Sequence, residues 1–142
     1  MKTIKQLLDE KGHVVVSIAA GDSVFDAIKL MAEKGIGALV VMDGPKLVGV
    51  VSERDYARKV ILQGRSSQTT PVRNIMSAPV VCTRPEHTVE QCMALVTEKR
   101  IRHLPVLEGA ELVGMISIGD LVKSIIAEQQ FMIEQLENYI AG

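Results

Sequence analysis

The sequence has few aromatic residues and only two cysteines. Aromatic side chains make up 3% of the chain and tryptophan is missing, so aliphatic side chains and the seven methionines must fill the core. That composition suits buried strands and helices together. Cys82 and Cys92 are too far apart in sequence for a Cys-x-x-Cys metal or redox pair, and two cysteines cannot form a dense disulfide framework. We therefore expect the reducing environment of the cytoplasm.

The sequence also lacks an excess of one charge and a long apolar run. Sixteen basic residues oppose 17 acidic ones, for a net charge of −1, so the overall charge does not favour nucleic acid as a partner. The longest apolar run, Ala38 to Met42, is far shorter than the roughly 20 residues that cross a bilayer. The charged N-terminal segment lacks the apolar centre of a signal peptide. We expect one compact protein of 142 residues with no membrane partner.

Sequence signatures of the common enzyme classes are missing as well. There is no Gly-x-Ser-x-Gly, His-Glu-x-x-His or phosphate loop ending in Gly-Lys-Ser/Thr. Gly35-x-Gly37 lacks the third glycine of a dinucleotide fingerprint and follows a predicted helix rather than a strand. His13, His87 and His103 do not have metal-ligand spacing. We predict no catalytic residue, no metal site and no catalytic cofactor, and hence a protein that is not an enzyme.

What the sequence does contain is an internal repeat. Shifted by 65 positions, Val15–Arg58 aligns with Val80–Lys123 without a gap, and about a third of the aligned pairs are identical. Each copy predicts the order strand, helix, strand, strand, helix. The predicted domains are an N-terminal helix (1–12), repeat 1 (13–66), repeat 2 (67–125) and a C-terminal helical extension (126–142).

Local signals mark the elements in both copies. An apolar strand precedes a helix with a hydroxyl cap, a hairpin with a glycine in its turn follows, and a second helix begins after a serine. The matching positions are strands 14–18 and 80–83, caps Ser23 and Thr88, turns Gly44 and Gly109, and serines Ser52 and Ser117. A short capped helix is predicted at Thr3–Leu8, and Val72–Met76 resembles it before the second copy.

The last predicted helix, from about Gly119 to Ala141, is longer than the repeat requires. At 1.5 Å per residue it measures about 35 Å. Its apolar residues alternate at spacings of three and four, with Gln129 as an interruption. The helix either lies back on its own core or packs on a partner chain. We favour the partner chain, because a small module has limited surface for so long an apolar face.

The order of elements and motifs resembles a known family. The segment Ile101-Arg102-His103-Leu104-Pro105-Val106, the Leu-Val-Gly of the next strand, and the Ser-x-x-Asp that follows are similar to a cystathionine-β-synthase-type (CBS) domain, and the two copies resemble a CBS pair. The resemblance covers roughly residues 13 to 125. Copy one departs from the family pattern at Gly35–Ala38 and has Val40 in place of the proline.

The resemblance implies an α/β (α+β) fold and a non-catalytic role. The fold is a tandem CBS pair of two β-α-β-β-α repeats with pseudo-two-fold symmetry, here with an extended C-terminal helix. The resemblance also implies two clefts for adenosine-containing ligands such as AMP, ADP, ATP, NAD or S-adenosylmethionine. CBS pairs commonly form homodimers, so we expect a homodimer or a higher homo-oligomer.

Ser52-x-x-Asp55 and Ser117-x-x-Asp120 are the central candidates for ligand binding. Taken alone, the pattern is a helix-start signal. In the family context, the carboxylate accepts hydrogen bonds from a ribose 2′ and 3′ hydroxyl pair. Both roles are compatible, because the cap places the carboxylate at the start of the helix.

Basic residues distinguish the two copies. Arg102 and His103 stand where the family often contacts phosphate, and Gly37 and Ala38 replace them in copy one, so we predict two unequal sites. Arg54 and Arg58, one helical turn apart, are either exposed ion-pair partners or part of the site. The predicted nucleotide-binding residues are Ile18, Ile36, Ala38, Ser52, Arg54, Asp55, Arg58, Thr83, Ile101, Arg102, His103, Pro105, Ser117 and Asp120.

The predicted function is a regulatory sensor. An adenosine-containing nucleotide binds between the repeats and modulates an unidentified partner protein in signal transduction. The alternative is a structural or protein-interaction module that works through the C-terminal helix without a ligand.

Overall fold

A computed structural model describes residues 1–141, and only Gly142, at the end of the predicted C-terminal extension, lies outside them. The chain divides into two compact units. One unit is Val14–Val81, and the other combines Met1–His13 with the chain from Cys82 onward. The mixed α/β class and the two repeats are as predicted.

The unit of residues 14–81 is built around a three-stranded sheet. Strand β2 pairs in parallel with β1 and antiparallel with β3. The elements are β1 (Ser17–Ala19), α2 (Val24–Lys34), β2 (Ala38–Asp43), β3 (Lys46–Ser52), α3 (Glu53–Tyr56), a π-helical turn (Ala57–Ile61) and a 3-10 turn (Val72–Asn74). The apolar face of α2 packs on the sheet with Val24, Ala27 and Met31, which are buried at the three-and-four spacing of one helix face.

The second unit repeats this arrangement with a two-stranded sheet and a much longer last helix. Its elements are α1 (Ile4–Lys11), α4 (Val89–Lys99), β4 (His103–Glu108), β5 (Glu111–Ser117) and α5 (Ile118–Ala141). The β4–β5 hairpin is antiparallel, and its residue pairing is that of β2–β3. Both hairpins have a register irregularity at the same place, directly after Val41 and after the equivalent Val106. Both predicted hairpins are therefore confirmed.

The predicted helix caps are also confirmed. The hydroxyl oxygens of Thr3, Ser23 and Thr88 each accept a hydrogen bond from the backbone N–H three residues later. Helix α2 ends at Gly35 and α4 at Arg100, and both residues adopt the left-handed conformation, with φ of 64° and 55°. Arginine is rare in that conformation, so the shared backbone geometry is imposed by the repeat rather than by the residue type.

The predicted strand 80–83 is much shorter than expected. Only Thr83 forms a bridge there, in parallel with Val106. In copy one the amide of Val40 donates to the carbonyl of Val16 (3.3 Å). The position equivalent to Val40 is Pro105, which has no N–H to donate. The copy-two ladder therefore cannot extend toward residue 80.

The N-terminal segment and the segment before the second copy have the same role, each in the compact unit to which it belongs. The carbonyl of Lys2 accepts from the first amide of α4, and the carbonyl of Thr70 accepts from the first amide of α2. Leu8 then packs against Gly114, and Met76 packs against Gly49. The predicted similarity of the two segments is confirmed. The compact units consequently differ from the predicted domains, because residues 67–81 lie with repeat 1 and α1 lies with repeat 2.

Helix α5 differs between its two halves. Leu121 and Ser124 are buried and the helix packs against α4. From Gln129 to Ala141 every residue is exposed, so packing on its own core does not account for this half. No helix within residues 1–141 combines the length and apolar character needed to cross a bilayer.

Candidate functional site

The first candidate carboxylate, Asp55, lies where β3 ends and α3 begins. The amide and the hydroxyl of Ser52 donate to Asp55 Oδ2 at 2.9 and 3.0 Å, and the Asp55 amide donates back to the Ser52 hydroxyl at 3.2 Å. Lys59 Nζ lies 3.2 Å from Oδ1 of the same carboxylate. Asp55 is half-buried and held by a reciprocal cap.

The second candidate carboxylate, Asp120, occupies the same place after β5. The Ser117 amide donates to Asp120 Oδ2 at 2.8 Å, and the Asp120 amide donates to the Ser117 hydroxyl at 3.1 Å. Its cation is different: Lys11, from the end of α1, donates to Asp120 Oδ2 at 2.5 Å and to the Met115 carbonyl at 2.7 Å. Both carboxylates are thus paired with a lysine, but the lysines come from different parts of the chain.

The pairing with Lys11 controls the ionisation of Asp120. Partial burial by itself would raise the pKa of this carboxyl group. The hydrogen bonds from Lys11 and from Ser117 oppose burial and outweigh it, so the pKa of Asp120 lies below its ordinary value. Asp120 is therefore an ionised hydrogen-bond acceptor at neutral pH.

Strand pairing brings further predicted residues to each carboxylate. Ser52 pairs with Ala38 across the β2–β3 ladder, and Ser117 pairs with His103 across β4–β5. The amide after each serine donates to the backbone preceding the partner strand, at 3.0 Å to Gly37 and 2.8 Å to Arg102. The start of one strand, the end of its neighbour and the carboxylate therefore form one cluster in each unit.

The two clusters differ in charge. The Asp120 cluster contains Lys11, exposed Arg102 and half-buried His103. The Asp55 cluster has Gly37 and Ala38 at the positions of Arg102 and His103. Its cations lie on the following helix instead: Lys59 contacts Asp55, and Arg54 and Arg58 are exposed.

The remaining predicted residues lie in or beside the cores. Ile18 is buried and pairs with Val41, three residues along β2 from Ala38. Thr83 is buried, and its hydroxyl contacts His87 Nδ1 at 2.9 Å and Cys92 Sγ at 3.1 Å. Pro105 is buried, and Ile36 and Ile101 are half-buried. The hydroxyl of Thr83 is thus already engaged and the other four side chains are apolar, so their place in the wall of a binding site stays a prediction.

Two lysines belong to the clusters without having been predicted. Lys59 is four residues after Asp55, which is the spacing of an ion pair along a helix, so the sequence contained a signal for it. Lys11 is 109 positions before Asp120, and no local pattern connects them. No group of three or more metal-ligating side chains occurs in the part of the chain that the structure describes.

A cleft of about 500 Å³ in the unit of α1 contains none of the predicted site residues. Leu8, Pro85 and Val113 form part of its apolar lining. At its edge His13 Nε2 lies 3.0 Å from Asp9 Oδ1, and His13 Nδ1 lies 3.2 Å from the Val113 carbonyl oxygen. These two acceptors raise the pKa of His13, because they favour the imidazolium form, which donates from both nitrogens.

Comparison with known proteins identifies the family. The family model of the CBS domain matches the chain twice, over residues 11–61 and 72–127. This chain belongs to the CBS domain family. Its two matches fall on the two repeats, and each contains one of the Ser-x-x-Asp carboxylates described above.

Individual CBS proteins resemble the chain over most of its length. The mitochondrial CBS domain-containing protein CBSX3 of Arabidopsis thaliana is 42% identical, over 99% of this chain and 72% of its own. A CBS-domain protein structure from Burkholderia ambifaria is 56% identical with a TM-score of 0.86, covering 90% of this chain and 96% of that one. The CBS domain pair of protein MJ0100, solved with 5′-methylthioadenosine and S-adenosyl-L-methionine, is 20% identical with a TM-score of 0.80, over 90% and 98% of the two chains.

Proposed function

We propose that this CBS protein is a non-catalytic regulatory module that binds an adenosine-containing ligand, such as AMP, ADP, ATP or NAD, and thereby modulates a partner protein. The observation that carries the proposal is the duplicated carboxylate. Asp55 and Asp120 each stand at the junction of a strand and a helix, fixed by a capping serine. The cytoplasmic location stays a prediction, and one relative is named as mitochondrial.

The chemistry of the two carboxylates suits a ribose. An ionised carboxylate only accepts hydrogen bonds, and its two oxygens match the 2′ and 3′ hydroxyls, which both donate. The capping bonds hold each carboxylate in one orientation before a ligand arrives, which reduces the entropy lost on binding. A structurally similar CBS pair was solved with two adenosine-containing ligands, in keeping with this ligand class.

The charge difference predicts a different ligand preference for each site. Lys11 contacts Asp120, and Arg102 and His103 lie at the strand end that pairs with Ser117, so we expect a ligand with more phosphate there. At the Asp55 site, Gly37 and Ala38 leave more room and no cation at that position. We expect this site to accept a less charged or bulkier ligand, such as a dinucleotide.

Regulation requires that the ligand favours one state of the protein. A ligand shifts an equilibrium only as far as its affinities for the two states differ. The exposed half of α5 supports a second candidate function, a protein-interaction module that needs no ligand.

A calorimetric titration with adenosine, AMP, ADP, ATP, NAD and S-adenosylmethionine tests the proposal. Arg102→Ala is expected to weaken ATP binding about tenfold, the equivalent of one charge-assisted hydrogen bond, and to leave adenosine unchanged. Arg65→Ala, at an exposed arginine of the loop after the π-helical turn, is the matched control. If no ligand binds at millimolar concentration, the interaction module is the better account.

Asparagine variants of the carboxylates test the ribose contact. Asn keeps an oxygen that can accept from the capping serine amide, whereas Ala removes the cap together with the ligand contact. Asp120→Asn and Asp55→Asn are each expected to abolish binding at one site and retain it at the other. Loss of both sites in either single variant would contradict two separate ribose contacts.

A further inference from the structure

Helix α5 has an apolar stripe that is three residues wide and runs from Val122 into its exposed half. Residues seven apart on a helix lie nearly in one row. The three rows are Ile126–Ile133–Ile140, Ile125–Met132–Tyr139 and Val122–Gln129–Leu136. Only Gln129 interrupts them. Together they cover a sector of about 100° on the helix.

The width of the stripe indicates how many helices cover it. A two-helix coiled coil buries two rows and places charged residues beside them. Here isoleucine fills the third row at every second turn, at Ile126, Ile133 and Ile140, which are 50–82% exposed. A third apolar row is the pattern of a core-facing helix that packs against more than one neighbouring element. A single partner helix would leave the isoleucine row in water.

The exposed area is large enough for a stable interface. The apolar side chains of the three rows expose on the order of 800 Å² per helix, close to the ~800 Å² that each partner buries in an interface of standard size. The largest apolar patch on a typical monomer is about 300–600 Å². The stripe therefore exceeds what a monomer usually leaves uncovered.

The positions of charge and of Gln129 favour identical copies as the occupant. Glu134 lies on the far side of the helix from the stripe, and Glu128 and Glu137 lie at its two flanks, so no carboxylate falls within the stripe itself. Gln129 carries both donors and an acceptor, so it can pair with Gln129 of another copy at the same level.

We propose that α5 assembles with the α5 helices of further copies of this chain into a bundle of three or more helices. The isoleucine row lies inside the bundle, and the Gln129 side chains hydrogen-bond to each other there. The proposal concerns assembly only and does not rest on nucleotide binding.

Sedimentation equilibrium of the full chain at several concentrations tests the bundle. The wild type is expected to contain three or more copies. Ile133→Gln with Ile140→Gln is expected to weaken this assembly at least roughly a hundredfold, about tenfold for each isoleucine. Phe131→Gln is the matched control, because Phe131 is 61% exposed but lies off the stripe. A wild type of one or two copies, or equal masses for all three proteins, would overturn the proposal.

The position of Gln129 gives a second measurement that does not depend on losing the assembly. A polar residue on the buried stripe lowers stability while fixing the register. Gln129→Leu is therefore expected to raise the melting temperature of the assembly, and the rise should depend on protein concentration. An unchanged melting temperature would place Gln129 in solvent and contradict the bundle.

Discussion

Replacing Asp120 by alanine tests whether the proposed ribose-binding carboxylate also stabilises the fold. Asp120 Oδ2 accepts hydrogen bonds from the Ser117 amide and from Lys11 Nζ. Alanine removes both bonds at once. It also leaves Lys11, whose ammonium group bridges Asp120 and the Met115 carbonyl, without its counter-charge.

The expected cost follows from the exposure of the two partners. Hydrogen bonds to charged groups contribute about 1.5–3 kcal/mol, and exposed ion pairs only about 0–1 kcal/mol. The side chains of Asp120 and Lys11 are 25% and 38% exposed, between these cases, so we expect a loss of about 2 kcal/mol. At about 2–4 °C per kcal/mol for a chain of this size, Asp120→Ala should melt about 4–8 °C below the wild type.

Thermal unfolding at pH 7 and in acid provides the assay. The pKa of Asp120 is lower in the folded than in the unfolded state, so its stabilisation is present above its ordinary pKa of 3.8 and disappears as the pH falls through the folded pKa. Wild type and Asp120→Ala should therefore converge in acid. Asp43→Ala, at an exposed carboxylate, is the control. A melting temperature of Asp120→Ala within about 1 °C of wild type at pH 7 would refute this reasoning.

Two further predictions concern α1 and the segment after it. A Cβ on Gly114 would lie 2.6 Å from Cδ2 of Leu8, which is buried and would have to shift, so Gly114→Ala should cost about 1–3 kcal/mol in urea unfolding. Gly37→Ala, where the nearest atom is 3.7 Å away, is the control, and equal costs would contradict the close packing. The pKa of His13, followed by NMR titration, should exceed 6.5 and fall in Asp9→Asn. The stabilisation from the His13 imidazolium is then complete in acid and is lost as the pH rises through the pKa of His13 in the folded state. A His13 pKa at or below 6.5 in the wild type would contradict the hydrogen bonds to the two acceptors.

Elements with local signals were predictable from the sequence. Caps such as Ser23 and Thr88 bond to an amide three residues away, so the pattern and the interaction occupy the same short stretch of chain. The hairpins are likewise specified by neighbouring residues, and the repeat adds independent evidence because each signal occurs twice. The Ser-x-x-Asp carboxylates were found for the same reason.

The predicted strand 80–83 shows where local signals fail. Its apolar residues favour a strand, but a strand exists only where a neighbour completes its hydrogen bonds. The neighbour is β4, in which Pro105 lies beside the segment and accepts from the Thr83 amide but has no N–H to donate. Both pieces of information were in the sequence, yet their relation became evident only once the pairing of the strands was known.

The sequence by itself determined the repeat, the order of elements, the caps and the two carboxylates, because each depends on residues within a few positions of one another. Only the tertiary structure decided which cation accompanies each carboxylate. Lys59 reaches Asp55 along its own helix, whereas Lys11 reaches Asp120 because Ile4 and Leu8 bury α1 against the second copy. That contact depends on the packing of a helix 109 positions away, and packing over such a separation leaves no periodic signal in the chain.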